Sequence, residues 1–574
     1  MRAKNTNNRA QSITLEVRFD RFYRHDDLTA ILREQAKRRP DLFSVQSIGK
    51  SHEGRDIWVV TATHAATGEA CDKPAWWLDG NIHAAELTAS TACLYYLHTL
   101  EQGYGKDPDI TRLLDTRAMY VCPRINPDGA EWALADKPRY IRSSTRPYPF
   151  DEDPVDGLNV EDVDGDGRIL SMRIRDPNGG FKAHPKDPRL MTPRGPAEYG
   201  GEYFRVIPEG TLVNYDGVEI RVNRDKQGLD LNRNFPAGWR QEYQQVGAGP
   251  YPASEPEVRA VVDFIAKHPN IGGGISFHTQ SGVILRPFSS EPDDNMPAED
   301  LWLYKLFGKT ATELTGYPNI SIFHDFKYHP KQVITGGFDW IYEHLGQFFW
   351  TVEIWAPPKE GGVENYHFID WYREHPPEDD LKLIAWSDRD LGGQGYVDWY
   401  AFDHPQLGPV ELGGWNKLLV FRNPPKQYIE REVKRFPGWL TWQALTLPRL
   451  EVFKAEATSL GGDAWRVRLA VHNTGFLPSY VTKRALERKI TRGVVYEIEL
   501  PQGAELAAGK PRVEGGQLEG RANRPTLQAF LPSPDITGDR GQCEWTVRAP
   551  RGTEITVSAR HDRAGRVSAR LVLS

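Results

Sequence analysis

At Pro448 the apolar pattern of this chain changes period. Upstream, short apolar runs alternate with stretches of helical length. Ile57 to Ala62, Ala75 to Leu78, Ala118 to Val121, 275–278 and 348–353 read as strands. Residues 26–36, 86–100, 255–267 and 298–315 read as helices. A run such as AWWL suits a strand covered on both faces. Alternation of this kind predicts an α/β fold: a mixed, mostly parallel twisted sheet with helices on both faces. Downstream, RLEVFKAEAT, WRVRLAVHNTG and EITVSARH alternate apolar with polar residues between Gly, Pro and Asn turns. That period of two predicts an all-β sandwich. The expected division is 1–447 and 448–574. Two stretches interrupt the α/β rhythm: 147–225, rich in Pro, Gly and Asp, and 355–425, ending in AFDHPQLGPVELGGW. Insertions this long are usually functional or carry structure of their own. A helix near 425–445 closes the first unit.

Composition removes several classes of function. The 17 Trp, 23 Tyr and 23 Phe can fill large cores, so disorder is excluded. A net charge of −7 gives no electrostatic case for nucleic acid. No run of apolar residues is long enough to span a bilayer. The opening MRAKNTNNRAQS has no apolar segment after it, so the chain as given reads as cytoplasmic, without a secretory signal. Cys71, Cys93, Cys122 and Cys543 are scattered without a CxxC pair, which argues for free thiols rather than disulfides or a cysteine zinc site.

The richest segment chemically is LDGNIHAAELTAS, 78–90. His83 and Glu86 stand three apart where a strand gives way to a helix, so both can point one way and share a metal ion. The pattern alone is weak, since His98–Glu101 and His375–Glu378 repeat it and read as a helix-surface pair and a loop. His278 ends a predicted strand and would complete a His₂Glu set, which catalytic zinc takes with one position left open. Glu353 lies inside the apolar strand FFWTVEIW, where a carboxylate is costly unless paired or working. In GLDLNRNFP, Arg233 offers a planar fork for a carboxylate, next to Asn232 and Asp230. Each residue has a plainer reading singly: a packed histidine, a salt-bridged glutamate, a surface arginine.

Together the ordered set HAAE (83–86), NPDG (126–129), DLNRNF (230–235), SFH (276–278), TGGFDW (335–340) and TVE (351–353) resembles the zinc carboxypeptidase family of the carboxypeptidase A/B type. The resemblance implies one zinc per chain on His83, Glu86 and His278. It implies Glu353 as the general base that activates the zinc-bound water, and Arg142 as the oxyanion-stabilising arginine, with Arg139 and Arg146 close rivals. It gives Asn232 and Arg233 as the clamp for a terminal carboxylate, and Asp230 as the partner that orients a ligand histidine. The implied substrate is a peptide or peptide-like molecule with a free carboxylate, cleaved at its C-terminal amide bond.

The sequence departs from the pattern in three places. Gln332 stands where the family's substrate-contacting tyrosine is expected, with Tyr328 the nearest tyrosine, so both are candidate substrate-binding residues. Phe338 falls near the specificity position and no acid is placed to select a basic side chain, which leans towards apolar or broad preference. The span from Arg142 to Asn232 is long and is expected to rim the cleft. It contains Asp162, Asp164 and Asp166 in the spacing that opens a calcium loop. Its twelfth place is Arg173, so a calcium site and a solvated acidic turn both remain, with Asp176 a possible substitute ligand. Two rival functions are a zinc amidase or deacylase on N-acyl amino acids or side-chain-linked peptides, and an inactive peptide-binding module. The second would be expected to lose Glu353.

Overall fold

The computed structural model describes residues 17–151, 156–327, 334–522 and 536–574. Its centre is a sheet of eight strands: β1 (Phe43–Lys50), β2 (Asp56–Ala62), β3 (Ala75–Gly80), β4 (Ala118–Cys122), β5 (Ile271–Thr279), β6 (Val283–Arg286), β7 (Asn319–Ser321) and β8 (Phe348–Ile354). Their spatial order is β1-β2-β4-β3-β5-β8-β6-β7. The four central strands β4, β3, β5 and β8 are parallel, with antiparallel pairings on either side of them. Every residue of β3 and β5 is buried. Successive side chains point to opposite faces, so Trp76 and Leu78 join one apolar cluster while Ala75 and Trp77 join the other. That double burial is why the central strands read as continuous apolar runs.

Helices cover both faces. α1 (Leu87–Gly103) and α3 (Ala298–Thr315) pack on the Trp76 side, and α2 (Pro256–Lys267) on the Trp77 side. α4 (Gly337–Leu345) starts inside the TGGFDW segment and ends at Gly346, whose φ of 56° closes the helix in the left-handed conformation. The expected single helix at 425–445 is two, Lys426–Val433 and Pro437–Leu445. Pro437 cannot donate within a helix interior and so begins a new one.

The two interruptions prove to be one structure. Ser171–Arg175, Phe181–Ala183, Met191–Pro193 and Phe204–Pro208 from the first join Tyr396–His404 and Gly408–Trp415 from the second in a six-stranded sheet. Arg173, at the place a calcium loop would fill with Glu, forks onto Glu411 of that second stretch at 2.9 and 3.1 Å.

From Leu450 to Val572 the chain forms two four-stranded antiparallel sheets around Trp465, Leu469, Tyr496, Trp545 and Val557. This sandwich grips the α/β unit at the C-terminal end of α4. Arg563 is buried and donates to Gly346 O at 2.8 Å, to Tyr480 O at 2.9 Å and to Leu345 O. Thr482 Oγ1 donates to Gly346 O at 2.7 Å. Asp300 of α3 in turn accepts the first backbone N–H groups of α5 (Lys483–Glu487), at 2.7 Å from Lys483 and 3.0 Å from Arg484.

Candidate metal centre and carboxylate clamp

The C-terminal ends of β3, β5 and β8 carry the site, as open α/β sheets place theirs. Parallel register pairs His278 of β5 with Glu353 of β8, and Ser276 of β5 with Asp79 of β3. Paired residues project to the same face, so the histidine and the glutamate lie side by side because of the backbone alignment. β3 passes through Asn81 (φ 57°) into the ligand loop, and α1 begins one residue after Glu86.

His83, Glu86 and His278 are all buried and converge. His83 Nδ1 lies 2.9 Å from Glu86 Oε1 and 3.0 Å from His278 Nδ1, and His278 Nδ1 lies 3.1 Å from Glu86 Oε2. Two imidazole nitrogens at that separation cannot both carry a proton on the facing edge. Two imidazole nitrogens and a carboxylate thus converge on one place, a donor set that could hold a zinc ion with one position open. The outer edges face the kind of partners that orient metal-bound histidines. His83 Nε2 stands 3.3 Å from Asp230 Oδ1. His278 Nε2 stands 3.2 Å from Ser276 Oγ, which donates to Asp79 Oδ1 at 2.5 Å, while Trp77 Nε1 donates to Asp79 Oδ2 at 2.6 Å. Burial pushes the Asp79 carboxyl up to about 6. Burial also opposes ionisation of Glu86, but the two histidines hold it well below the usual carboxylate range.

Glu353 sits beside this cluster, and desolvation, with the Glu86 charge adding to it, pushes its carboxyl up to about 7. A carboxylate with that affinity for a proton is suited to take one and give it back near neutral pH.

Of the three candidate arginines, the geometry separates one. Arg142 Nε donates to Asp230 Oδ2 at 3.0 Å, and its Nη1 lies 3.5 Å from Glu86 Oε1. Arg146 is committed to buried Glu255 at 2.7 and 2.9 Å, and Arg139 lies over the Trp132 ring at 3.9 Å. The NPDG turn fixes Arg142's segment: Asn126 caps its helix through Gly129 N and donates to Ser143 O at 2.5 Å. Ser143 Oγ ties the ligand loop at Ile82 O to Leu231 N of the clamp. Asn232 is buried and accepts from Gly337 N at 3.0 Å, at the start of α4. Arg233 is half-buried, and among the described residues no carboxylate is paired with it. Asn232, Phe235, Gly337, Phe338 and His278 border one small cavity, apolar except for Asp79 and a few hydroxyl and amide groups.

Two expectations need correction or lie elsewhere. Asp166 does not join Asp162 and Asp164, because Arg168 draws it away at 2.8 Å; the third acid of that cluster is Glu209. Asp176 pairs with Arg205. Gln332 and Tyr328 fall outside the described residues. Sequence reasoning also missed Asp79 and Ser276 as the supports of His278. Both were findable: Asp79 is a carboxylate inside an apolar strand, and Ser276 lies two residues from His278 on the same strand face.

The sequence profile of the zinc carboxypeptidase family matches residues 28–184 and 210–375, more than half the chain. The chain belongs to the zinc carboxypeptidase family. Among family relatives, carboxypeptidase A1 of Rattus norvegicus is 24% identical over 328 residues, covering 55% of this chain and 58% of that protein. Carboxypeptidase D of Homo sapiens is 25% identical over 387 residues, covering 62% of this chain and 21% of its own. The chain therefore spans little more than half, or much less, of the curated relatives it matches. A crystal structure of thrombin-activatable fibrinolysis inhibitor aligns with TM-score 0.42 at 18% identity, over 74% of each chain. Carboxypeptidase A from Helicoverpa armigera aligns with TM-score 0.41 at 18% identity, over 65% of this chain and 74% of that one. Residues 449–572 match a domain of unknown function, DUF8731. No helix among the described residues is long and apolar enough to cross a membrane.

Proposed function

We propose that this chain hydrolyses the C-terminal amide bond of peptides or peptide-like substrates with a free carboxylate, with residues 1–447 as the catalytic unit. The observation that carries the proposal is the side-by-side placement of His278 and Glu353, in register on β5 and β8, with His83 and Glu86 closing the donor set. When bound by His83, Glu86 and His278, zinc supplies Lewis acidity to the scissile carbonyl and eases the ionisation of water. Glu353 takes a proton from the attacking water as its oxygen bonds to the carbonyl carbon. It returns that proton to the departing amine as the C–N bond breaks. Arg142 sets a positive charge beside the oxygen on which negative charge develops. Asn232 and Arg233 hold the terminal carboxylate and so fix which bond is presented. The apolar walls formed by Ile82, Ile125, Phe235, Phe338 and Ile341 favour an uncharged terminal side chain, since both Asp79 oxygens are occupied. All four thiols are free, which accords with a reducing compartment, and a cytoplasmic location is proposed on that ground.

The test compares one peptide with a free and an amidated C-terminus. The free form is cleaved and the amide poorly. Arg233→Met costs the free peptide at least about tenfold to a hundredfold in kcat/KM, as for a partly buried charge pair losing one partner, and the amide little. Equal cleavage of both peptides by the wild type would replace this reading with an amidase or endopeptidase.

A further inference from the structure

The π-helical turn Lys417–Arg422 stands at the metal centre, yet it lies beyond the residues that match the family. Strand Gly408–Trp415, the inner partner of the inserted sheet, leads directly into it. Asn423 is fully buried and staples the turn to the ligand loop. Its side chain donates to Ala85 O at 2.7 Å and to Leu418 O at 3.0 Å, and accepts from Thr88 N and Thr88 Oγ1 at 2.9 Å each. Trp355 Nε1, two residues past Glu353, donates to Val420 O at 2.6 Å. The turn's geometry matters for its charges. In an α-helix two residues five apart stand about 140° apart around the axis. Closure from i to i+5 brings them back to one side.

That side is a cleft of about 300 Å³, bordered by His83, Glu86, Tyr140, Arg142, Lys417 and Arg422. His278 and Asn232 border the other cavity while His83 and Glu86 border this one, so the candidate ligands lie between the two. A substrate whose terminal carboxylate is held at Arg233 passes its scissile carbonyl over the ligands and its acyl side into this cleft. Three cationic side chains, Arg142, Lys417 and Arg422, border this cleft. Arg142 has Asp230, but the nearest carboxylate to Arg422 among the described residues is Glu86 at 3.9 Å. Lys417 is exposed, and no ion pair engages it among the described residues. Lys417, Arg422 and Arg142 share this cleft with one bordering carboxylate, Glu86, so its edge carries an excess of positive charge that attracts an anion.

We propose that Lys417 and Arg422 form a subsite for a carboxylate on the acyl side of the scissile bond, so that the preferred substrates carry an acidic residue immediately before the residue released. The proposal rests on the carboxypeptidase reading and narrows its substrate class. The probes are acetyl-Glu-Phe and acetyl-Gln-Phe, which have the same shape and differ in one charge. Wild-type enzyme is expected to cleave the Glu peptide with a kcat/KM about tenfold higher, a ratio that shrinks as salt is raised. Lys417→Gln and Arg422→Gln each bring the ratio towards one, and Lys417→Glu inverts it. Zinc content is measured for the Arg422 variant because of its distance to Glu86. Binding is measured in parallel by calorimetry on the Glu353→Gln protein, where the Glu peptide should bind about tenfold tighter, and lose that advantage when Lys417→Gln is added. Equal kcat/KM and equal affinity for the two peptides, or a preference that survives both substitutions, overturns the subsite. Cleavage of neither peptide defeats the hydrolytic reading alone, and the binding ratio then decides the subsite.

Discussion

The roles proposed for Glu353 and for His83 and His278 can be separated experimentally because they call for different chemistry from adjacent positions. Glu353→Gln keeps the shape of the side chain and removes the proton acceptor. It is expected to retain stoichiometric zinc and an unchanged Tm while kcat falls by at least about a hundredfold, the scale of general acid–base loss. Activity within a few-fold of wild type would remove Glu353 from its assigned role. His83→Ala or His278→Ala should instead strip the metal, read by metal analysis of the purified protein, since three protein ligands hold such a site. At this scale the sequence was legible wherever chemistry forced an unusual residue into an apolar strand. Glu353 stands out in FFWTVEIW, and His278 in GGGISFH. Lys417 and Arg422 left no such mark. They are ordinary surface residue types in a loop, and only the π turn brings them to the cleft.

Among the elements, five strands of the central sheet and the helices over 87–103, 256–267 and 298–315 were readable to within a few residues, while β1, β6, β7 and α4 were not. α3 spans 298–315 as the pattern indicates, and Gly316 supplies its left-handed close. The helix expected over 26–36 runs from His25 to Arg38, with Asp26 and Asp27 inside its first turn, where they face the positive end of the helix dipole. The partnership of 147–225 with 396–415 could not be read, because strand pairing across about two hundred residues leaves no local period. Nor could the seat of α4, whose last carbonyls are met by Arg563 from the sandwich. Arg563→Met leaves buried carbonyls of Leu345, Gly346 and Tyr480 short of a charged donor. The expected loss is about 3 kcal/mol in urea unfolding. KM for free-carboxylate peptides should rise with kcat little changed, because α4 supports Asn232 and not the ligands. An unchanged KM would confine Arg563 to stability.

At the scale of the whole molecule, acid should loosen the same junction. His561 ends a sandwich strand two residues before Arg563. Its Nδ1 accepts Arg563 N–H at 3.1 Å and its Nε2 meets Gln517 Oε1 at 3.0 Å, so the ring is neutral in the fold. Burial, with the Arg563 charge adding to it, lowers it from 6.5 to about 3. The unfolded chain takes up the proton first, so this contribution to stability is complete above pH 6.5 and declines as pH falls towards 3. The slope is about 1.4 kcal/mol per pH unit at most. His561→Gln should flatten the stability profile between pH 6.5 and about 4 relative to wild type, measured by urea unfolding. Parallel profiles would show that His561 is not the titrating group. α4 is nine residues long, about 13 Å from end to end. One end abuts the residue proposed to hold a peptide's terminus, and the other is fastened by an arginine 218 positions further along than Leu345. A transplant of this substrate pocket into a shorter relative would therefore arrive unanchored, unless the graft also brought the final β unit or a new cation to seat the helix's far end.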